Sequence, residues 1–355
     1  MTQVEKAALG IPEEAQAAIV TGQFNRRYLT GFNSSAGVLI VSRGGSSLIV
    51  DARYHEVAVN TVKGCEVILQ DDLHEQIAAV LKKYDAETVA LESDICTLKA
   101  RNAYLEKLKG IDLLEDDRFG AAINRMRARK SGEEIEKIRA AQKITDKAFE
   151  HILGFIKPGL TEREIALELE IFGRSHGADA ASFSFIVAVG STSSMPHAVP
   201  GDKQVKTGEL LLLDYGFKVD GYCSDMTRTV AIGNASDEQR EVYNTVLRAN
   251  KAAIEAIRSG ISCKDIDAVA RDFIDASPYK GLFGHGLGHA IGMEVHEAPA
   301  FNRITDDILE SGMVLTVEPG IYLPRQFGVR IEDIIAVTEN GCENLTSSPK
   351  ELIVL

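Results

Sequence analysis

Residues 209–232, ELLLLDYGFKVDGYCSDMTRTVAI, restrict the chain to few folds because they set Asp214 and Asp225 in runs that a sheet interior would bury. Asp214 follows four leucines, Leu210 to Leu213, and a Val219-Asp220-Gly221 turn signal separates it from Asp225. Two extended runs about a short glycine-containing turn predict a β-hairpin. A two-residue turn at Val219-Asp220 puts the aspartates directly opposite; a turn at Asp220-Gly221 makes them diagonal neighbours. In both registers the side chains leave one face, because strand alternation has period two. Carboxylates so placed repel and resist desolvation, so a shared proton, a cation or a bound metal must compensate.

The chain has 355 residues, enough for two or three domains, with 45% hydrophobic and 26% charged residues, as in an ordinary globular protein. A net charge of -13 disfavours nucleic acid and anionic membrane as partners. No apolar run reaches the length of a membrane span, and MTQVEKAALG lacks the pattern of a signal peptide. Five scattered cysteines suit a reducing compartment, so a cytoplasmic location is expected.

Residues 1–122 are expected to form one domain and 123–355 a second. In the first, AAIVT (17–21), GVLIV (37–41), SLIVD (47–51), EVILQ (66–70) and TVALE (88–92) read as strands. Segments 52–63, 73–84 and 97–109 read as helices, giving an α/β domain. No glycine-rich phosphate loop joins a strand to a helix there. The basic cluster Arg125 to Lys130 reads as a solvated linker.

In the second domain, Ser131 to Glu134 forms a capping box that opens a helix to about Ile156, and Thr161 to Glu164 opens another. IKPGLTEREIALELEIF (156–172) matches IRSGISCKDIDAVARDF (257–273), Gly159 with Gly260 and Thr161 with Ser262. Two related halves with a site between their sheets are expected.

The second half supplies partners for the aspartates. GHGLGHAIGMEVHEAP holds His285, His289 and His296 among glycines that oppose a helix and favour a tight backbone beside a cleft. VLTVEPGIYLPRQFGVRIEDIIAV predicts a second hairpin, with Glu318 and Glu332 equidistant from Arg325 and so facing each other. Arg330 shares the face of Glu332 and is expected to hold that carboxylate. Four acids with one imidazole suit Mn²⁺, Co²⁺ or Zn²⁺. Such a set exceeds the needs of one catalytic ion and fits two ions about 3.5–4 Å apart.

The order LLLDYG, SDMTRT, GHGLGH, VEPGIY, GVRIED resembles the pita-bread metallopeptidases, which include aminopeptidase P, prolidase and methionine aminopeptidase. NRRYLTGF (25–32) and LIVDARY (48–54) resemble the creatinase-type N-terminal domain of the proline-directed members. The resemblance implies an α+β pita-bread catalytic domain with an internal pseudo-two-fold repeat behind the α/β domain. It implies Asp214, Asp225, His289, Glu318 and Glu332 as ligands of two divalent ions, manganese or cobalt first and zinc next. Glu318 matches the family's candidate proton acceptor, His197 a histidine near the substrate, and His296 one that contacts the scissile peptide or the developing oxyanion. His285, Tyr322 and Arg330 match supporting positions. Proline-containing peptides are the implied substrates and a homodimer the implied assembly.

Prolidases often carry an arginine just after HExP, where this chain has Ala300, and the family's ASGxN stands here as AVGST (188–192). The first departure favours an aminopeptidase P-like exopeptidase on longer peptides over an Xaa-Pro dipeptidase. A creatinase-like hydrolase or a binding module on the same fold is disfavoured, since either would be expected to have lost ligands that are all present here.

Overall fold

Short apolar runs in the first third of the chain assemble into one six-stranded sheet. In the computed structural model, which describes residues 1–355, the strands are β1 (Ala17–Val20), β2 (Val38–Ser42), β3 (Gly45–Val50), β4 (Glu66–Leu69), β5 (Thr88–Leu91) and β6 (Asp112–Leu114). Their order is β4-β3-β2-β1-β5-β6. β1, β2 and β3 pair antiparallel; the other three pairings are parallel. The helices are α1 (Gln3–Leu9), α2 (Gln23–Thr30), α3 (Ala52–Thr61), α4 (Leu73–Lys83), α5 (Leu98–Lys107) and α6 (Arg118–Ala128). Both faces of the sheet are covered, so β1 sends Ala18 and Val20 into one core and Ala17 and Ile19 into the other.

Two compact units result, Met1–Arg127 and Ala128–Leu355. The expected boundary at 122/123 falls inside α6, where continuous helical hydrogen bonding leaves no linker. Nor is the basic cluster solvated: Arg127 is buried and donates to Asn25 Oδ1 at 2.8 Å, and buried Lys130 pairs with Glu297 at 3.0 Å. No helix is long and apolar enough to cross a membrane.

The second unit opens with α7 (Gly132–Phe155) and α8 (Glu162–Ser175), each begun by the expected capping box. Next come β7 (Ala180–Ala181), β8 (Ile186–Val189), β9 (Leu210–Tyr215), β10 (Phe217–Val219), β11 (Tyr222–Cys223) and β12 (Met226–Ala231). The second half repeats the plan with α9 (Asp237–Ala256) and α10 (Cys263–Asp275). Its strands are β13 (Gly288–Ala290), β14 (Glu297–Phe301), β15 (Val314–Val317), β16 (Gly320–Leu323), β17 (Phe327–Arg330), β18 (Asp333–Val337) and β19 (Cys342–Asn344).

The repeat is structural down to single hydrogen bonds. Gly159 and Gly260 take φ of 94° and 89° after the long helices. Gly159 N–H donates to Val205 O at 2.9 Å and Gly260 N–H to Leu309 O at 2.8 Å; Glu162 N–H reaches Lys203 O at 3.1 Å and Cys263 N–H reaches Asp307 O at 2.8 Å. Each half buries its own apolar cluster between helices and sheet.

Each hairpin changes sheet at its acids. β9 and β12 pair in the sheet β12-β9-β8, while their continuations β10 and β11 join β7. β15 and β18 lie in β14-β13-β15-β18-β19, while β16 and β17 pair apart from it. At the first break Gly216 is required, because a Cβ there would sit 1.9 Å from Ser224 O.

Candidate active site

Turn geometry sets which acids meet. In the first hairpin the turn residues are Asp220 and Gly221, with φ of 49° and 78°, as a two-residue turn of the left-handed type demands. Thr227 therefore lies opposite Asp214, and Asp225 is its diagonal neighbour. In the second, Leu323 pairs with Phe327 and Arg325 takes a φ of 63°. Val317 pairs with Asp333, which carries Glu318 to the place facing Glu332, as the sequence predicts.

All five expected donors, Asp214, Asp225, His289, Glu318 and Glu332, line one cavity of about 600 Å³. Asp225, His289 and Glu332 each present a ligand atom within 4.8 Å of the other two. His289 Nε2 lies 3.4 Å from Glu318 Oε1 and 3.7 Å from Asp225 Oδ2. Its other nitrogen, Nδ1, meets Ala290 O at 3.2 Å, so with Nδ1 protonated the Nε2 lone pair faces the acids. Burial holds this imidazole down at about 4, with His296 contributing, so it stays neutral. Close packing of β13 on β15 sets the ring's position: a Cβ on Gly288 would lie 2.1 Å from Thr316 O.

Protein groups compensate the carboxylates only in part. Burial first, then Glu332, Asp214 and Glu318, raise Asp225 well above the ordinary carboxylate range. Burial and the charges of Glu318 and Asp214 do the same to Glu332, and burial pushes Glu318 up to about 8. Asp214 Oδ1 and Asp225 Oδ1 are buried without any hydrogen-bond partner. One guanidinium, Arg330, faces this set. Orphaned buried oxygens, acids held above their usual range and a neutral imidazole lone pair together fit divalent cations.

Arg330 departs from expectation. Its Nη2 pairs with Asp214 Oδ2, Nη1 donates to Tyr322 OH at 2.8 Å and Nε to Thr227 Oγ1 at 3.0 Å. Glu332 is held by the Thr227 hydroxyl at 2.7 Å. Shared strand parity put Arg330 and Glu332 on one face, but the ribbon opens between them, where Glu332 N–H donates to Thr227 O at 3.0 Å. Tyr322, its oxygen already accepting from Arg330, gives its hydroxyl proton to His285 Nε2 at 2.8 Å, and His285 Nδ1–H meets Gly286 O at 2.8 Å. Tyr322 and His285 thus brace Arg330.

His197 and His296 both line the cavity, with Ala300 and an apolar wall that includes Phe183, Phe185 and Val295. The His296 and His289 rings lie 4.1 Å apart. Two further residues belong to the site. Thr227 ties Glu332 to Arg330, and Thr316 accepts His289 N–H at 3.1 Å and donates to Glu318 Oε1 at 3.4 Å. Parity was the available signal, since 225 and 227, and 316 and 318, share faces.

The sequence matches the family described as metallopeptidase family M24 over residues 136–339 and the creatinase/prolidase N-terminal domain over residues 12–129. It is 36% identical to the Xaa-Pro dipeptidase of Pyrococcus furiosus over 93% of this chain and 92% of that one. Its fold superposes on an Xaa-Pro dipeptidase from Bacillus anthracis with a TM-score of 0.96 and 39% identity, covering 99% of both chains. An X-Pro aminopeptidase from Thermotoga maritima gives 0.90 and 35%, covering 96% of this chain and 98% of that one.

Proposed function

The chain belongs to metallopeptidase family M24, with a creatinase/prolidase N-terminal domain, and from that membership we propose that it is an Xaa-Pro dipeptidase. The observation that carries this reading is the convergence of Asp214, Asp225, His289, Glu318 and Glu332 on one cavity, with two buried carboxylate oxygens left unpartnered. Those five residues would hold two divalent ions, manganese or cobalt before zinc, since oxygen donors dominate the set. When bound, divalent ions polarise a scissile carbonyl and lower the pKa of water beside it.

Protein groups supply the rest. Glu318, ionised once cations offset its burial, accepts a proton from the attacking water and passes it to the departing proline nitrogen. His296, kept neutral by burial, donates an N–H to the oxygen that gains charge. The nitrogen of an Xaa-Pro bond is proline's own and carries no hydrogen, and this chemistry requires no donor there.

The preference for longer peptides, drawn from Ala300, is revised. Similarity is greater to the Bacillus anthracis dipeptidase than to the Thermotoga maritima aminopeptidase, 0.96 against 0.90 in TM-score and 39% against 35% in identity. The absence of a cation at Ala300 does not strip the cavity of donors, because His197 also lines it and an imidazole N–H can donate to a substrate carboxylate. A homodimer is part of the same reading, and light scattering tests it.

Manganese-loaded protein should release proline from Ala-Pro at a higher kcat/KM than it cleaves Ala-Pro-Ala. Cleavage of the tripeptide alone would overturn the dipeptidase reading, and inactivity on both would overturn the hydrolase reading.

A further inference from the structure

Glu162, the first residue of α8, is 1% exposed, yet its carboxylate does not cap that helix. Thr161 and Glu164 already form the capping box. Instead Glu162 Oε1 accepts Val189 N–H at 2.9 Å and the Thr192 hydroxyl, and Oε2 accepts Gly201 N–H at 3.0 Å. These donors stand at the two ends and in the first turn of one segment, 189–201, which carries His197 to the cavity. Lys203 Nζ bonds Val189 O at 2.6 Å and Ser191 Oγ at 2.9 Å, closing the same neck. From the other side Gly328 N–H donates to Ser193 Oγ at 2.8 Å.

The fold alone does not demand an acid at this place. In the second half α10 begins at Cys263, which is equally buried, follows a serine cap and makes the matching backbone bond. A helix start of this kind therefore forms with a small thiol. A carboxylate in the same setting is costly unless donors satisfy it, and every donor found comes from the His197 segment or its base.

We infer that Glu162 is a positioning residue that fixes the His197 segment against the cavity and so acts on substrate binding through His197. This inference rests on the dipeptidase reading. Glu162→Ala should raise KM for Ala-Pro by about tenfold, the scale set by unsatisfied buried donors, with kcat and bound metal little changed. Backbone amides of 190–201 should exchange faster. Glu162→Gln should recover part of the loss, since its carbonyl oxygen still accepts Val189 N–H and the Thr192 hydroxyl. His197→Ala should cost less in the Glu162→Ala background than in the wild type, because the ring is already misplaced. Additive effects with unchanged exchange would overturn the inference, as would loss of bound metal with KM intact. If Glu162→Ala does not fold, Thr192→Val removes one donor from the segment and takes the same measurements. Should the wild type fail to cleave Ala-Pro, the dipeptidase reading falls, while amide exchange still decides whether Glu162 clamps the segment.

Discussion

The hairpin β9–β12 and the hairpin β15–β18 are built on one plan and differ at the turn. The first closes on two residues, Asp220 and Gly221, and leaves Asp225 diagonal to Asp214. The second closes on a loop of odd length about Arg325 and sets Glu318 opposite Glu332. Diagonal side chains stand farther apart than opposed ones. The spread pair has room for a guanidinium on Asp214, whereas the opposed pair receives only hydroxyls, from Thr227 and Thr316. Each half also supplies what the other lacks: Arg330 crosses to Asp214, and Thr227 crosses to Glu332. Turn length thus decides which acids stand diagonal and which stand opposed.

Breaking the pairs should rank their members. Asp225→Asn removes an acid whose Oδ1 has no protein partner, so the protein should fold while activity drops more than about 100-fold, beyond what supporting groups give. Turnover near the wild-type rate with full metal content would remove Asp225 from the site. Arg330→Met deletes the cross-clasp but no acid, and metal affinity should weaken by about 10- to 100-fold, as for a group that orients a ligand. Titration with Mn²⁺ measures it, and unchanged affinity would make Arg330 a packing residue only.

Metal removal sharpens the comparison on the opposed side. In stripped protein Glu318 titrates near 8, against 4.5 as its ordinary value. A raised folded-state value means that the folded form holds the proton more tightly. The contribution to stability is therefore complete below about 4.5 and is lost as pH rises through about 8. Melting of the chelated protein should fall across that window and melting of the loaded protein should not; parallel curves would contradict the assignment. The smallest effect belongs to the turn. Gly221→Ala, at a φ of 78°, should destabilise by about 1 kcal/mol with activity on Ala-Pro retained. A larger loss of activity than of stability would show that the turn sets acid spacing under strain.

Local patterns carried much of this into the sequence. Capping boxes placed α7 and α8, and parity placed Glu318 against Glu332. Long-range partners did not show. α2 has no side-chain cap of its own at Gly22; Glu92 accepts Thr21 N–H at 2.6 Å, Gly22 N–H at 2.8 Å and Asn25 Nδ2 at 2.7 Å from some 70 residues away, so no signal precedes the helix. Lys130 looked solvated because Glu297, its partner, lies 167 residues downstream. Parity points Arg330 at Glu332, but period two holds only along an unbroken strand, and this ribbon opens at Glu332, so the guanidinium meets Asp214 instead.

Equilibrium titration of chelator-stripped protein with Mn²⁺, read by calorimetry, tests most directly whether these acids are buried to hold cations. Two saturable sites per chain are expected in the wild type, and fewer in Asp225→Asn. Absence of saturable binding, or two sites surviving in that variant, would contradict the account.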